Sequence, residues 1–341
     1  MPDGRGVRWG ITIPVTGVPL ADHAALVPAL AAAGYTDAWT AEVAGTDAFT
    51  PLALASTWAP TLRLGTAIVP VFTRGPALIA MSAASLASAA PGRFVLGLGA
   101  SSPVIVSDWN GLTFDAPWRR SRDVLRMVRA ALAGERIDGQ FDTFCIRRFA
   151  LETPPAEPPP IMLAGLRPQM LRLAGAEADG AILNWIGPDD VPRCVDAVQN
   201  PDIEVVARIF VCPTAEVEYA RALGRRLITS YLTVPAYAEF HRWLGRGDIL
   251  EPMWDAWAVG DRAAALAAVP DDVVDALIVH GRPEECSERL QAYVDAGIDT
   301  PVLAMLPTPD AADAASLVDI LSRLVPAKST EATAGARDVD L

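Results

Sequence analysis

The chain has few of the residues that build metal centres and disulfide frameworks. Its 341 residues hold only four cysteines and three histidines. Cys145, Cys194, Cys212 and Cys286 form no Cys-x-x-Cys pair, and no histidine stands near one at metal-ligand spacing. That argues against zinc and for free, buried or half-buried thiols. No apolar run reaches the roughly eighteen residues of a membrane span. Nothing after Met1-Pro-Asp-Gly-Arg-Gly reads as the apolar core of a signal peptide, so the cytoplasm is the expected compartment. Positive charge is short as well. With 28 basic and 41 acidic residues the net charge is −13, which argues against nucleic acid or an anionic membrane as partner. An anionic ligand would need a local basic patch. What is abundant is apolar: 51% hydrophobic residues and a mean hydropathy of +0.26 imply a large core.

Strands and helices alternate along the chain. The clearest unit is Leu62–Arg74, where Leu62, Leu64, Ala67, Ile68 and Val69 make a short apolar run between Pro60 and Pro70. A run of that kind suits a strand covered on both faces, and Gly75-Pro76 then opens a helix. Before it, strands are expected at Trp9–Pro14 and Thr36–Glu42. The helix between them spans Asp22–Ala33, with Asp22 as N-cap, Gly34 as stop and Pro28 forcing a kink or a later start. Helices over Phe49–Trp58 and Pro76–Ala89 flank the third strand, and Arg93–Gly99 is the fourth.

The alternation pauses there. Val104–Ala116 reads as an insertion, Pro117 opens a helix to about Ala133, and residues 134–159 are irregular, with Phe141, Phe144 and Phe149 spaced as in a hairpin. Strands resume at Ile161–Ala164, Gly180–Asn184, Ile203–Cys212 and Pro301–Leu306, with helices between. Residues 234–272 read as an added aromatic-rich helical region, followed by helices near Asp272–Val279 and Pro283–Ala296. Residues 5–327 are expected to form one domain, and 328–341 a disordered tail.

Eight strands, almost all followed by helices, predict a (β/α)₈ TIM barrel with insertions after strands 4 and 7. A doubly wound sheet is the alternative, but it would not need the eighth strand. In a barrel, function lies at the C-terminal strand ends. Among those ends Glu42 is the only carboxylate, and they contain no histidine and no lysine. So sparse a set suits a bound cofactor that brings its own chemistry.

Several motifs, in order and at these spacings, resemble the bacterial luciferase-like superfamily of flavin- and deazaflavin-dependent TIM-barrel oxidoreductases. They are Ala33-Gly-Tyr-Thr-Asp-Ala-Trp39 leading to Glu42, Leu64-Gly-Thr-Ala-Ile-Val69, Arg93-Phe-Val-Leu-Gly-Leu-Gly99, Leu163-Ala-Gly165, Ala178-Asp-Gly-Ala181, Arg282-Pro-Glu-Glu-Cys286 and Ala296-Gly-Ile298. Within the superfamily the chain looks most like the actinobacterial branch that uses coenzyme F420. The resemblance implies a non-prolyl cis peptide at Ala67–Ile68 pressed against the back of the ring. It also implies a cofactor site drawing on Glu42, Thr66, Ala67, Ile68, Gly99, Ala100, Ser101, Ser102 and Asn184. Phosphate would be held by the loop Ala164-Gly165-Leu166-Arg167 at a helix N-terminus. Arg119, Arg122, Arg126 and Arg129 share one helical face, with Leu125, Val128 and Leu132 opposite. Arg119 and Arg122 are expected to meet the anionic cofactor tail, with Arg74 a further candidate.

The departures are also informative. Alcohol- and sugar-phosphate-oxidising members carry a histidine after the second-strand carboxylate, where this chain has Val43. The sugar-phosphate enzymes also carry a glutamate after the fourth strand, where it has Ser102. Glu42 and Ser102 remain as catalytic candidates at those positions, and alcohol oxidation is not expected. The implied reaction is hydride transfer to a small, apolar, activated molecule such as a conjugated alkene or imine. Val15, Val43, Trp109, Tyr231, Tyr237, Phe240 and Trp243 would form the substrate wall. His23, His241 and His280 are expected to be structural. The alternatives are an FMN-dependent monooxygenase that uses O₂ and a partner flavin reductase, or a non-catalytic flavin-binding barrel. A homodimer is implied by the apolar excess and by the resemblance.

Overall fold

The computed structural model describes residues 6–326. The expected tail at 328–341 and both limits of the expected domain lie outside the described residues. The strands are β1 (Gly10–Thr12), β2 (Asp37–Thr40), β3 (Arg63–Thr66), β4 (Val69–Pro70), β5 (Phe94–Gly99), β6 (Ile137–Gln140), β7 (Cys145–Phe149), β8 (Ile161–Ala164), β9 (Gly180–Asn184), β10 (Glu204–Pro213), β11 (Ile278–Gly281) and β12 (Thr300–Met305). The helices are α1 (His23–Ala33), α2 (Thr50–Trp58), α3 (Pro76–Ala89), α4 (Pro117–Leu132), α5 (Pro168–Glu177), α6 (Val191–Val198), α7 (Val217–Leu232), α8 (Pro235–Trp243), α9 (Gly247–Ala258), α10 (Arg262–Ala267), α11 (Asp271–Leu277), α12 (Pro283–Asp295) and α13 (Ala314–Ser322).

The parallel ring runs β12-β1-β2-β3-β5-β8-β9-β10 and closes where β10 pairs with β12. It is a closed eight-stranded parallel barrel, as the strand count implies. Proline opens α3, α4, α5, α8 and α12, where its missing N–H would have no partner anyway. Gly34 closes α1 at φ 119°, a conformation that favours glycine. Asp22 does not cap that helix with its side chain; it ends a 3₁₀ turn over Leu20–Asp22. Pro28 lies inside α1 without ending it.

Both insertions are present. After β5, the segment Val104–Trp109 winds as a π-helix, and β6 and β7 form an antiparallel hairpin. After β10 come α7–α11 and then a strand the sequence reading missed, β11. β10 is long enough to serve two neighbours on one edge. Its first half pairs with β9 and its second half with β11.

The barrel interior is packed by side chains that alternate along each strand. Trp39, Val95, Met162, Ile182, Val206 and Val302 form one buried cluster. Trp39 fills the centre because its neighbours have no side chains. A Cβ at Gly65 would lie 2.3 Å from its ring, and one at Gly10 2.9 Å away. Below this layer, at the N-terminal face, is an ion network. Arg63 donates to both Glu204 oxygens at 2.6 and 2.7 Å and also to Asp37. Arg8 donates to Asp37 at 2.9 Å, and Thr300 donates to Glu204 at 2.5 Å.

Candidate active site at the mouth of the barrel

At the opposite, C-terminal face, two walls confront each other. The first is a shelf between β3 and β4, where Ala67–Ile68 is a cis peptide. The end of β2 holds it on both sides: Ala67 N–H donates to Thr40 O at 2.6 Å, and Glu42 N–H donates to Ile68 O at 3.4 Å. Thr66 staples the same turn to β5, donating to Gly97 O at 2.9 Å and accepting from Gly97 N–H at 2.8 Å. Glycine is needed at the β5 side. A Cβ at Gly97 would stand 1.9 Å from Thr66 O, and one at Gly99 2.9 Å from Ile68 Cγ1 and 3.3 Å from Ala164 Cβ. The surface of Ala67, Ile68, Gly99 and Ala164 is therefore apolar, close-fitted and free of titratable groups.

The second wall is polar and aromatic. In ring order β10 stands four strands from β3 in either direction, so it lies diametrically opposite. Val206 belongs to the interior cluster, and period-two alternation puts Arg208 and Phe210 on the same inner face. Asn184 is the register partner of Arg208 on β9. Asn184 Nδ2 donates to Tyr237 Oη at 3.2 Å. The guanidinium of Arg208 stacks over Phe210 at 4.7 Å, and Phe210, Trp185 and Tyr231 pack against each other. On this side Arg208 Nε, Asn184 Oδ1 and Trp185 Nε1 are buried without partners, and so is Thr12 Oγ1 on β1. Burial lowers the Arg208 pKa and pushes that of the Tyr237 phenol up to about 12.

The expected site residues fall into distinct places. Glu42 accepts from Arg74 through Nε at 3.1 Å and Nη2 at 2.9 Å, and from Ala48 N–H at 2.9 Å. It ties the loop after β2 to the loop before α3, and Arg74, also 3.6 Å from Asp47, has its charge matched by protein groups. Ser101 adopts a left-handed φ of 66° at the end of β5, and the half-buried Ala100 precedes it. Ser102 Oγ accepts from Ile105 N–H at 3.4 Å and helps start the π-helical turn. In the loop after β8, Gly165 N–H already donates to Ile182 O at 3.2 Å. A Cβ at Gly165 would be 2.9 Å from Leu171, so α5 sits directly behind it. Leu166 is half-buried and Arg167 exposed.

The arginine face on α4 divides. Arg122 pairs with Asp123 and Asp142, Arg126 with Glu177, and Arg129 with Asp179. Arg119 is exposed beside Trp118, whose Nε1 donates to Gln169 O in the first turn of α5 at 3.3 Å. Arg120, which was not among the expected residues, turns inward: it donates to Val71 O at 3.0 Å and stacks over Phe72 and Phe144.

Tyr231 and Tyr237 stand in the mouth with Arg208. Val15 and Phe240 are in the main core, and Trp243 packs at its edge, stacked on Phe240. Val43 and Trp109 lie on the outside of their loops, 41% and 55% exposed. His23 accepts from Val15 N–H through Nε2 at 2.8 Å, with Nδ1 2.9 Å from Pro19 O, and so pins the loop after β1. His241 is buried, its pKa lowered to about 3 by burial and then by Arg246. His280 Nε2 lies 2.8 Å from Asp275. Cys145 is exposed, and burial pushes the other three thiols up to about 12. Among the described residues no three His, Cys, Asp or Glu side chains converge as metal ligands, and no helix is long and apolar enough to cross a membrane.

Arg208 went unnoticed in the sequence. The signal was there: a lone cation in the otherwise apolar run Val205-Val-Ala-Arg-Ile-Phe-Val211. In a strand covered on both faces such a residue needs either a partner or a ligand.

The chain is similar to several known proteins. Residues 9–300 match the family model described as luciferase-like monooxygenase. A Mycobacterium tuberculosis protein, provisionally named a coenzyme F420-dependent oxidoreductase, is 27% identical over 92% of this chain and 99% of its own length. The 5,10-methylenetetrahydromethanopterin reductase of Methanolobus tindarius is 27% identical over 78% of this chain and 84% of its own. Among solved structures, the coenzyme F420-dependent tetrahydromethanopterin reductase of Methanopyrus kandleri superposes with a TM-score of 0.75 at 20% identity, covering 94% of this chain and 98% of that one. The FMN complex of a type II Baeyer–Villiger monooxygenase from Pseudomonas putida gives 0.64 at 17% identity, covering 94% and 96%. At such identities the two structures establish a shared fold.

Proposed function

This chain belongs to the luciferase-like monooxygenase family, and from that premise we propose that it is a coenzyme F420-dependent oxidoreductase that exchanges a hydride with a small organic substrate. The observation that carries the proposal is the shelf. Ala67, Ile68, Gly99 and Ala164 make a close-fitted apolar surface, and the glycine at 99 leaves room that a Cβ would fill at 2.9 Å from Ile68. A planar ring fits such a surface, and nothing on it could act as acid or base. When bound, the deazaflavin supplies hydride exchange at its C5.

The chain's own residues would do the rest. The Thr66–Gly97 staple and the bonds from β2 hold the shelf rigid behind the ring. Arg119 and Arg167, exposed near the start of α5, would meet the charged tail together with the N-terminal backbone of that helix. Arg122 contributes less, because Asp123 and Asp142 already neutralise it. Glu42 acts through structure, by fixing Arg74 and the Ala48 loop. Tyr231 and Tyr237, packed edge to face, would help enclose a bound ring and exclude water. The name of the mycobacterial relative supports the deazaflavin assignment.

A second reading, an FMN-dependent monooxygenase with a partner flavin reductase, is favoured by the matching family model, whose description is luciferase-like monooxygenase. Purification from a host that makes both cofactors, followed by turnover with and without oxygen, separates the two. The proposal expects retained F420 and activity that survives strict anaerobiosis. Retained FMN with oxygen-dependent turnover would replace it by the second reading.

A further inference from the structure

The mouth contains a cation that the protein itself does not answer. Arg208 lies inside the barrel on β10, between Asn184 and Val302 in register. Its Nε is buried without a partner, while the side chain as a whole is half-buried; it forms no ion pair among the described residues, and its polar neighbours are the phenols of Tyr231, a hydrogen-bond partner, and Tyr237. A guanidinium drawn partly out of water with no counter-charge is costly unless a ligand supplies one. The cost is the more notable in a chain of net charge −13, where carboxylates are plentiful. Elsewhere they are used freely: Arg63, Arg74, Arg122, Arg126, Arg129, Arg221 and Arg246 all have acidic partners.

Resting on the function proposed above, we infer that Arg208 receives a carboxylate of the substrate, and that the substrate class is a small organic acid with an apolar body. Three observations select that class. The half-buried guanidinium has no carboxylate of the protein on its fork, and the fork matches a carboxylate with two parallel hydrogen bonds. No second cation stands beside it among the described residues, so a doubly charged phosphate would be under-neutralised. The flanking groups are aromatic, with Phe210 stacked at 4.7 Å and the Trp185–Tyr231 pair beyond it, which suits a hydrophobic body.

Position assigns the anion to the substrate rather than to the ring. Arg208 faces the shelf from the opposite strand, so a ring seated on the shelf would turn its free face towards Arg208. Asn184 Oδ1 is an acceptor, and it suits a donor on the ring edge better than an anion.

The test uses the wild-type protein and two isosteric probes, benzoate and benzamide, by isothermal titration, with F420 titrated separately by fluorescence. Benzoate is expected to bind about tenfold or more tightly than benzamide, as a charge-assisted bidentate pair requires. In Arg208→Gln that preference should vanish while F420 affinity stays within about twofold; Arg208→Lys should retain part of it. Near-UV circular dichroism checks the fold of each variant, and the wild-type comparison stands without them. Equal binding of the two probes by the wild type overturns the inference. So does a benzoate preference that survives in Arg208→Gln, or an F420 affinity that falls as far as the benzoate affinity, since Arg208 would then serve the cofactor. F420 binding by the wild type is a separate readout, so failure of the cofactor proposal and failure of the carboxylate inference give different results.

Discussion

The two ends of one barrel use charge in opposite ways. At the N-terminal face, Arg8, Asp37, Arg63, Glu204 and Thr300 satisfy one another. At the C-terminal face, on some of the same strands, Arg208 and Asn184 keep buried atoms unpartnered. β10 contributes to both, with Glu204 at its start and Arg208 four residues on. The closed network supports the fold, and the open one is available to a ligand. Between them the Trp39 layer, which requires the bare backbones of Gly10 and Gly65, separates floor from mouth.

The comparison is broken most directly by removing one arginine from each end. Arg63→Met leaves the half-buried Glu204 without its cation and takes one of two arginines from the buried Asp37, and is expected to cost about 3–5 kcal/mol in urea unfolding. Arg208→Met removes an unanswered charge, and its stability should stay within about 1 kcal/mol of wild type or rise. Equal losses would mean that the mouth is as structural as the floor.

Next in size is a change in the staple. Thr66→Val leaves the buried Gly97 N–H without its acceptor and should cost about 1–3 kcal/mol. Gly99→Ala brings a Cβ to 2.9 Å from Ile68. It should weaken F420 binding about tenfold with a stability loss of only about 1–2 kcal/mol. A stability loss without an affinity loss would detach the shelf from the cofactor.

The floor should also reveal itself through pH. Burial pushes the Glu204 pKa up, but the hydrogen bonds and charge of Arg63 outweigh it, so the folded carboxyl titrates below its ordinary value of 4.5. The stabilisation is therefore fully present above that value and is lost as pH falls through the folded pKa. Urea midpoints measured from pH 7 down to about pH 3 should hold steady and then drop in the wild type. The Glu204 part of that drop should be absent in Arg63→Met. The smallest effect belongs to the rim. Arg119→Glu should weaken F420 binding a few-fold at low salt and hardly at all at high salt.

Much of this was legible in the sequence. Apolar runs, proline openings and Gly34 marked the eight barrel strands and many of the helices, and the order of the motifs pointed to Ala67–Ile68. What escaped depended on partners distant in the chain. β11 was absorbed into a helix ending at Val279, because Leu277-Ile-Val279 continues an apolar pattern that only pairing with β10 turns into a strand. The arginine face of α4 read as a free positive stripe because Asp142, Glu177 and Asp179, which neutralise most of it, lie up to 51 residues away. Arg208 read as part of an ordinary strand, since burial on both faces is a property of the closed barrel and not of the strand.

The most direct measurement of the central claim, that the mouth is built for a deazaflavin ring, is an equilibrium fluorescence titration of the purified wild-type protein with oxidised F420 and, separately, with FMN. Saturable F420 binding at least about tenfold tighter than FMN, weakened by Gly99→Ala, is the predicted result. Tighter binding of FMN, or F420 binding indifferent to Gly99→Ala, would contradict it.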